Sequence, residues 1–302
     1  MTLGLMFACI VPHGGECLPE FATENPQRAA RTRAAMAEIG RRLEALQPDT
    51  VIIANPHGIS VPGAFCMPIG EAAVGHMTDE AGGGAGEGDG DGQREGEGEA
   101  QVTVASGFAM DIELGWDLAR RIAQRDLPVA PAFFPPGSPV PLDWGALIPL
   151  YYLGRSFKTP PRVVLLTPTR DLPLAANVAV GEALAEVAEQ SGQRVAFIAS
   201  ADQGHSHQAE GPYGFDEKSA EYDRFFCDAV EANDLGRLLQ VSDELIERGK
   251  PDSLWQALML HGAMQRVPMQ GKLLSYEVPT YFGMACAMYE PKQRRPHPRR
   301  HP

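Results

Sequence analysis

Residues 6–16 read MFACIVPHGGE and residues 51–60 read VIIANPHGIS, and these two stretches decide the fold. In each, a run of strand-forming residues leads directly into Pro-His-Gly. The proline ends the strand because it has no N–H to donate, and the glycine allows the chain to turn. One such histidine would be equally typical of a structural residue. Two of them, His13 and His57, at the ligand-binding edge of a parallel sheet predict one shared metal site.

The composition is that of an ordinary globular protein, with 302 residues, 44% of them hydrophobic and 22% charged. No apolar run approaches the roughly 20 residues of a membrane span, and no basic leader precedes the first strand. We therefore expect a cytoplasmic protein with no membrane partner. The five cysteines contain no CxxC pair, which argues against a zinc ribbon and against a disulfide framework.

The net charge of −13 is distributed unevenly along the chain. Residues 78–101 hold eight acidic residues and one arginine among glycines, which predicts a disordered loop; the spacing fits neither an EF-hand nor a nonapeptide calcium repeat. Residues 291–302 are basic and interrupted by proline, which predicts a disordered tail. Neither segment is typical of a nucleic-acid-binding surface.

Strand and helix patterns alternate along the rest of the chain. We predict strands at Leu3–Val11, Thr50–Ala54, 162–169, 194–202 and 280–291, an apolar stretch at Val129–Phe134, and helices at Pro26–Leu46, Ile112–Gln124, Ala146–Leu153, Ala175–Ser191, Glu217–Ala232, Leu235–Leu239 and Asp252–Met264. Such alternation indicates an α/β fold with a central, mainly parallel or mixed sheet covered by helices on both faces. Without an internal repeat or a second linker, residues 1–290 are predicted to form a single domain.

A third apolar strand delivers two more histidines, His205 and His207, in the loop sequence ADQGHSHQ. Both could chelate one metal, one could be a ligand and the other an acid or base, or both could be solvated. The remaining histidines are not expected to be catalytic: His76, His261, His297 and His301.

The carboxylate of the predicted site has three candidates. Asp252 opens a late helix, where capping alone would account for it; Glu277 precedes the final strand, and Glu16 follows His13 closely. Two imidazoles and one carboxylate form the facial triad of non-heme Fe(II) oxygenases. Zinc accepts the same ligands with a bound water, which would give a hydrolase.

These residues resemble the class III extradiol ring-cleavage dioxygenases, the family of the catalytic beta chain of protocatechuate 4,5-dioxygenase. The resemblance covers nearly the whole chain apart from the acidic segment and the tail. In that family, one metal histidine follows the first strand, and a second follows the next strand in a context similar to Asn-Pro-His-Gly. His13 and His57 have the same placement here. The stretch Ser200-Ala201-Asp202-Gln203-Gly204-His205 is similar to the motif of the catalytic histidine, and the alternative register selects His207.

Two positions depart from the family pattern. Counting back from Gly262-Ala263 places the third ligand on Asp252, where the family generally has glutamate. Trp144, between Asp143 and Gly145, replaces a histidine that would contact substrate, so no substrate can be named.

The resemblance implies cleavage of a catecholic or aminophenolic ring with O₂. His13, His57 and Asp252 would hold Fe(II), and His205 would serve as acid and base beside an auxiliary His207. It also implies a homo-oligomer that binds a small aromatic diol. A zinc or manganese hydrolase and a non-enzymatic interaction protein of the same fold are the alternatives.

Overall fold

The computed structural model describes residues 3–22, 25–78, 102–155 and 157–292. Its strands are β1 (Gly4–Val11), β2 (Thr50–Ala54), β3 (Phe65–Ile69), β4 (Ala72–Thr78), β5 (Thr103–Ala109), β6 (Val129–Phe133), β7 (Val140–Pro141), β8 (Arg162–Leu166), β9 (Arg194–Ser200), β10 (Met269–Glu277) and β11 (Met284–Pro291). Its α-helices are α1 (Ala30–Leu46), α2 (Ile112–Ala123), α3 (Trp144–Gly154), α4 (Leu174–Gln190), α5 (Glu217–Glu231), α6 (Asp243–Gly249) and α7 (Leu254–Arg266).

A six-stranded sheet in the order β10-β11-β1-β9-β2-β8 forms the centre of the fold. The four strands β1, β9, β2 and β8 are mutually parallel, and β11 pairs with β1 in the antiparallel direction. These parallel strands read as continuous apolar runs because both of their faces are covered. The predicted α/β class with a mixed central sheet is confirmed.

Alternate residues of each central strand enter two separate cores. Phe7 and Cys9 of β1 pack with α1 and α3 on one face of the sheet. Ala8 and Ile10 pack with α4, α5 and α7 on the other face. Burying a side chain such as Phe7 completely stabilises the fold by about 1.5–3 kcal/mol. Helices on both faces therefore fix the central strands and, with them, the strand ends that carry the histidines.

Two small sheets flank the centre; of their strands, the sequence patterns indicated only β6, as the apolar stretch Val129–Phe134. One pairs β3 with β6, and the other has the order β5-β4-β7. Glycine, proline and polar residues interrupt the alternation in these strands, so local propensity gives only a weak signal. Strand β10 and helix α6 were also not predicted.

The structure corrects both predicted disordered segments at their edges. Thr78 is the last residue of β4 and pairs with Thr103 of β5, so the predicted loop cannot begin at Thr78. Pro291 ends β11 and pairs with Met269, so the strand includes the first residue assigned to the tail. The other residues of the acidic segment, and those after Lys292, lie outside the described ranges. Within the described ranges, no helix is both long and apolar enough to cross a membrane.

Candidate metal centre

His13 lies two residues beyond β1 and is almost completely buried. Its Nδ1 is 2.9 Å from the hydroxyl of Ser200, at the end of neighbouring β9. That hydroxyl donates its proton to the carbonyl of Gly145, so it must accept from Nδ1–H of His13. Burial lowers the pKa of His13 and outweighs the opposing effect of the Asp252 carboxylate. With its Nδ1 bonded to Ser200, His13 presents its Nε2 to the site.

His57 follows β2 in a turn that its own sequence neighbours stabilise. Its backbone N–H donates to Oδ1 of Asn55 at 2.9 Å. The imidazole lies against the indole of Trp144, the first residue of α3, with ring centroids 4.4 Å apart. The side chain of His57 is about one-fifth exposed, in contrast to that of His13. The tryptophan that replaces the expected histidine thus contacts a candidate ligand directly.

Asp252 lies two residues before α7 and is buried. Its Oδ1 accepts the backbone N–H of Asp202 at 2.8 Å. The N-cap residue of α7 is Ser253, not Asp252. Burial alone would raise the pKa of Asp252. The adjacent imidazoles of His13 and His57 together outweigh this effect and hold the pKa below its usual range. The side chain is therefore an ionised carboxylate.

The three predicted ligands converge on one point. His13 Nε2 lies 3.1 Å from His57 Nε2 and 3.1 Å from Asp252 Oδ2, and the remaining separation, from His57 Nε2 to Asp252 Oδ2, is 3.3 Å. The point equidistant from the three atoms in their own plane lies about 1.8 Å from each of them. Typical metal–ligand bonds are longer, about 2.0–2.2 Å, so a bound ion would lie slightly to one side of that plane. A single divalent cation placed between these atoms can bind all three of them at once. The residues therefore fit a metal ion bound from one side.

The two competing carboxylates lie elsewhere. Glu277 Oε1 accepts both the backbone N–H of Thr32, at 2.6 Å, and its hydroxyl, at 2.7 Å, near the start of α1. Glu16 is partly buried, and burial raises the pKa of its carboxyl. Neither belongs to a group of possible metal ligands among the described residues.

His205 lies beside the triad. Its Nδ1 donates to the carbonyl of Lys250 at 2.8 Å, which leaves Nε2 without a proton in the neutral ring. The ring stacks on Phe282 with centroids 5.2 Å apart. A ring nitrogen lies within 4.8 Å of carboxylate oxygens of Asp202 and Asp252, so His205 reaches the candidate centre.

His207 points in another direction. Its Nε2 is 2.8 Å from Oδ2 of Asp223, a fully buried residue of α5. Its backbone N–H donates to the carbonyl of Tyr281. Unlike His205, it belongs to neither of the two possible metal groups in the described part of the chain.

Asp202 is a member of the site to which the sequence analysis gave no role. Its Oδ1 accepts the backbone N–H of His13 at 3.1 Å, and its Oδ2 is 3.2 Å from Nε2 of that histidine. Burial and the nearby charge of Asp252 raise the pKa of its carboxyl well above the ordinary range. Its position directly after β9, at the same edge as the histidines, was the signal available in the sequence.

A cleft of about 840 Å³ opens onto the triad. Its lining includes His57, Asp252 and His205 together with Tyr213. The guanidinium of Arg170 lies 4.5 Å above the ring of Trp255 in the same cleft. A small aromatic molecule can therefore reach the candidate ligands from solvent.

The fold and the sequence are similar to those of two known proteins. The crystal structure of an uncharacterized protein of Escherichia coli K12, JW3007, superposes with a TM-score of 0.53 at 15% identity, covering 94% of this chain and 99% of that one. Protein CA_C1420 of Clostridium acetobutylicum is 19% identical over 278 residues, which is 89% of this chain and 54% of that protein. The chain thus spans about half the length of this curated relative.

The model of the family described as the catalytic LigB subunit of aromatic ring-opening dioxygenase matches residues 7–287. This range contains all three residues of the triad as well as His205 and His207. It also extends from the first central strand, β1, into the last, β11. The resemblance noted in the sequence is confirmed: the chain belongs to the family of the catalytic LigB subunit of aromatic ring-opening dioxygenases.

Proposed function

We propose that the protein is a non-heme Fe(II)-dependent dioxygenase that opens a catecholic or aminophenolic ring next to its two ring substituents. The convergence of His13, His57 and Asp252 carries this proposal. Two imidazoles and one carboxylate on one side of an ion leave positions open for both substrate and dioxygen. Bound Fe(II) would supply the redox chemistry that activates the aromatic substrate and O₂. Both oxygen atoms of O₂ would be incorporated into the ring-opened product.

His205 is proposed as the acid and base of the reaction. Its Nδ1–H is held by the carbonyl of Lys250, so its Nε2 is the atom that accepts a proton from a phenolic hydroxyl. The same nitrogen returns the proton as the O–O bond breaks. A neutral imidazole serves both steps near pH 7, and the stacked ring of Phe282 holds His205 in place.

Two of the three candidate ligands are shielded from solvent. His13 and Asp252 are buried, and Trp144 lies against the more exposed His57. A substrate that fills the cleft would exclude water from the triad, which limits the escape of reduced oxygen species. Because Trp144 occupies the position of a substrate-contacting histidine, it would offer the substrate an aromatic face and an indole N–H instead of an imidazole.

Metal reconstitution tests the proposal against its alternatives. Metal-free protein is loaded without oxygen with Fe(II), Zn(II) or Mn(II), then mixed with air-saturated catechols and 2-aminophenols while oxygen uptake and absorbance are followed. We expect Fe(II)-dependent consumption of one O₂ per ring opened, with Zn(II) inactive. Hydrolysis of ester or amide substrates by the Zn(II) or Mn(II) form, without oxygen uptake by the Fe(II) form, would support the hydrolase. Fe(II) binding with neither activity would point to an interaction protein.

A further inference from the structure

One buried carboxylate holds the chain on both sides of His205. Asp223 of α5 is fully buried. Its Oδ1 accepts the backbone N–H of Gly204 at 2.7 Å, and its Oδ2 is 2.8 Å from Nε2 of His207. The residue before His205 and the residue two positions after it are thus attached to the same side chain.

A third element of the fold also contacts the carboxylate of Asp223. Tyr276 of β10 donates its hydroxyl to Oδ2 at 2.7 Å, so Gly204, His207 and Tyr276 all bond to this side chain. A Cβ at Gly283 would lie 2.1 Å from Oδ2, so the backbone approaches closely enough to exclude any side chain there. The carboxylate is therefore held in one position.

The same face of α5 also reaches the turn between α6 and α7. Ser219, one helical turn before Asp223, accepts the backbone N–H of Ser206 at 2.7 Å and donates to the carbonyl of Gly249 at 2.9 Å. That carbonyl also accepts the backbone N–H of His205 at 2.9 Å. The loop that carries His205 and the turn that precedes Asp252 therefore share one support.

We propose that Asp223, together with His207 and Tyr276, is a positioning group that sets the orientation of His205 toward the metal centre. It acts through His205 and does not touch substrate. The inference rests on the proposed function, in which His205 transfers the proton. It assigns the second histidine of the loop to this network and not to the chemistry.

A double-mutant cycle with Asp223→Asn and His205→Phe tests the role in the iron-loaded protein. Asparagine keeps the shape of the side chain but removes its charge. Misplacing a catalytic group costs about 10- to 100-fold, so we expect Asp223→Asn to lower kcat by at least about 10-fold with KM and iron content unchanged. In the His205→Phe background, single-turnover rates should change by less than about 2-fold, because coupled residues are not additive. Equal losses in both backgrounds would overturn the proposal.

Asp111→Asn is the matched control. Asp111 is also buried and paired, with Thr50 and Arg162, at the opposite edge of the sheet. It should lower thermal stability without lowering kcat. If Asp223→Asn does not fold, Tyr276→Phe and His207→Gln enter the same cycle with the same expectations.

Amide hydrogen exchange of the metal-free protein tests the positioning role of Asp223 independently of the proposed activity. Asp223→Asn should accelerate exchange within residues 203–207 and leave the central strands protected. This outcome is expected whether or not the wild-type protein opens aromatic rings. Unchanged exchange in that loop would overturn the positioning role even if the dioxygenase activity were established.

Discussion

Binding of a divalent metal is predicted to stabilise the wild-type protein and to leave Asp252→Asn almost unaffected. Oδ2 of Asp252 lies 3.1 Å and 3.3 Å from the two imidazole Nε2 atoms, and Oδ1 accepts the backbone N–H of Asp202. Asparagine preserves the volume and can keep the bond from Asp202. It replaces the anionic oxygen of the triangle with a neutral amide, so the variant isolates the contribution of that ligand.

The size of the effect follows from mass action. A ligand that binds only the folded state adds about 2.7 kcal/mol at a free concentration of 100 times its Kd. For a chain of this size, about 2 °C of Tm shift per kcal/mol gives a rise of about 5 °C. Loss of a charged ligand should weaken binding by about 100-fold or more, since even outer partners of a ligand contribute 10- to 100-fold. At the same metal concentration the variant then gains only about 0.4 kcal/mol, or less than about 1 °C.

Scanning calorimetry without oxygen, with Fe(II) and then with excess chelator, measures both shifts. Glu277→Gln is the matched control, because it removes the charge of the competing carboxylate. It should lower the Tm of the metal-free protein, since Glu277 holds the start of α1 through Thr32, but keep the full metal-induced rise. A full rise in Asp252→Asn with none in Glu277→Gln would refute the assignment and move the ligand to Glu277.

Four further outcomes are expected. His205→Phe should retain iron, measured by metal analysis, and lose turnover by about 10²–10⁴-fold; full activity would exclude it as the acid and base. Gly262→Ala should lower the Tm strongly, because a Cβ would lie 1.9 Å from the backbone of α4; an unchanged melting curve would contradict this packing. Deleting most of residues 80–100 should preserve fold and activity, checked by circular dichroism and oxygen uptake. The hydrogen bond from Arg194 holds the pKa of Asp49 below its usual range. The ionised Asp49 therefore stabilises the fold above its unfolded-state pKa, and this stabilisation is lost as the pH falls through its folded-state pKa. The free energies of unfolding of Asp49→Asn and the wild type, measured by urea titration, should converge in acid.

Much of the candidate site could be predicted because its signals are local. Proline and glycine beside His13 and His57 mark the strand ends within a few residues. The apolar runs before them are continuous because the strands are buried on both faces. His205 follows the third strand in the same way. These features depend on backbone chemistry that neighbouring residues determine, so they can be recognised without the tertiary structure.

The identity of the carboxylate depends on contacts between distant parts of the chain. Asp252 and Glu277 both precede regular elements, and the sequence alone left the choice between them open. In the structure, Glu277 bonds to Thr32, 245 positions away, whereas Asp252 bonds to Asp202. The anchoring of His207 by Asp223 likewise joins a loop to a helix through long-range packing. No local pattern encodes such pairings.

Strand order explains why the two histidines can share one ion. Strand β9 lies between β1 and β2, so the histidine-bearing strands are two positions apart, about 10 Å at the usual strand spacing. Val11 pairs with Ser200 and Ala54 pairs with Ala199, so the three strands end at the same level. Both imidazoles must therefore extend over the end of β9 to approach within 3.1 Å. The small side chain at the end of β9 leaves space for them, and its hydroxyl orients His13 through Nδ1. The convergence of the candidate ligands is thus a consequence of sheet order, register and one serine, as much as of the ligands themselves.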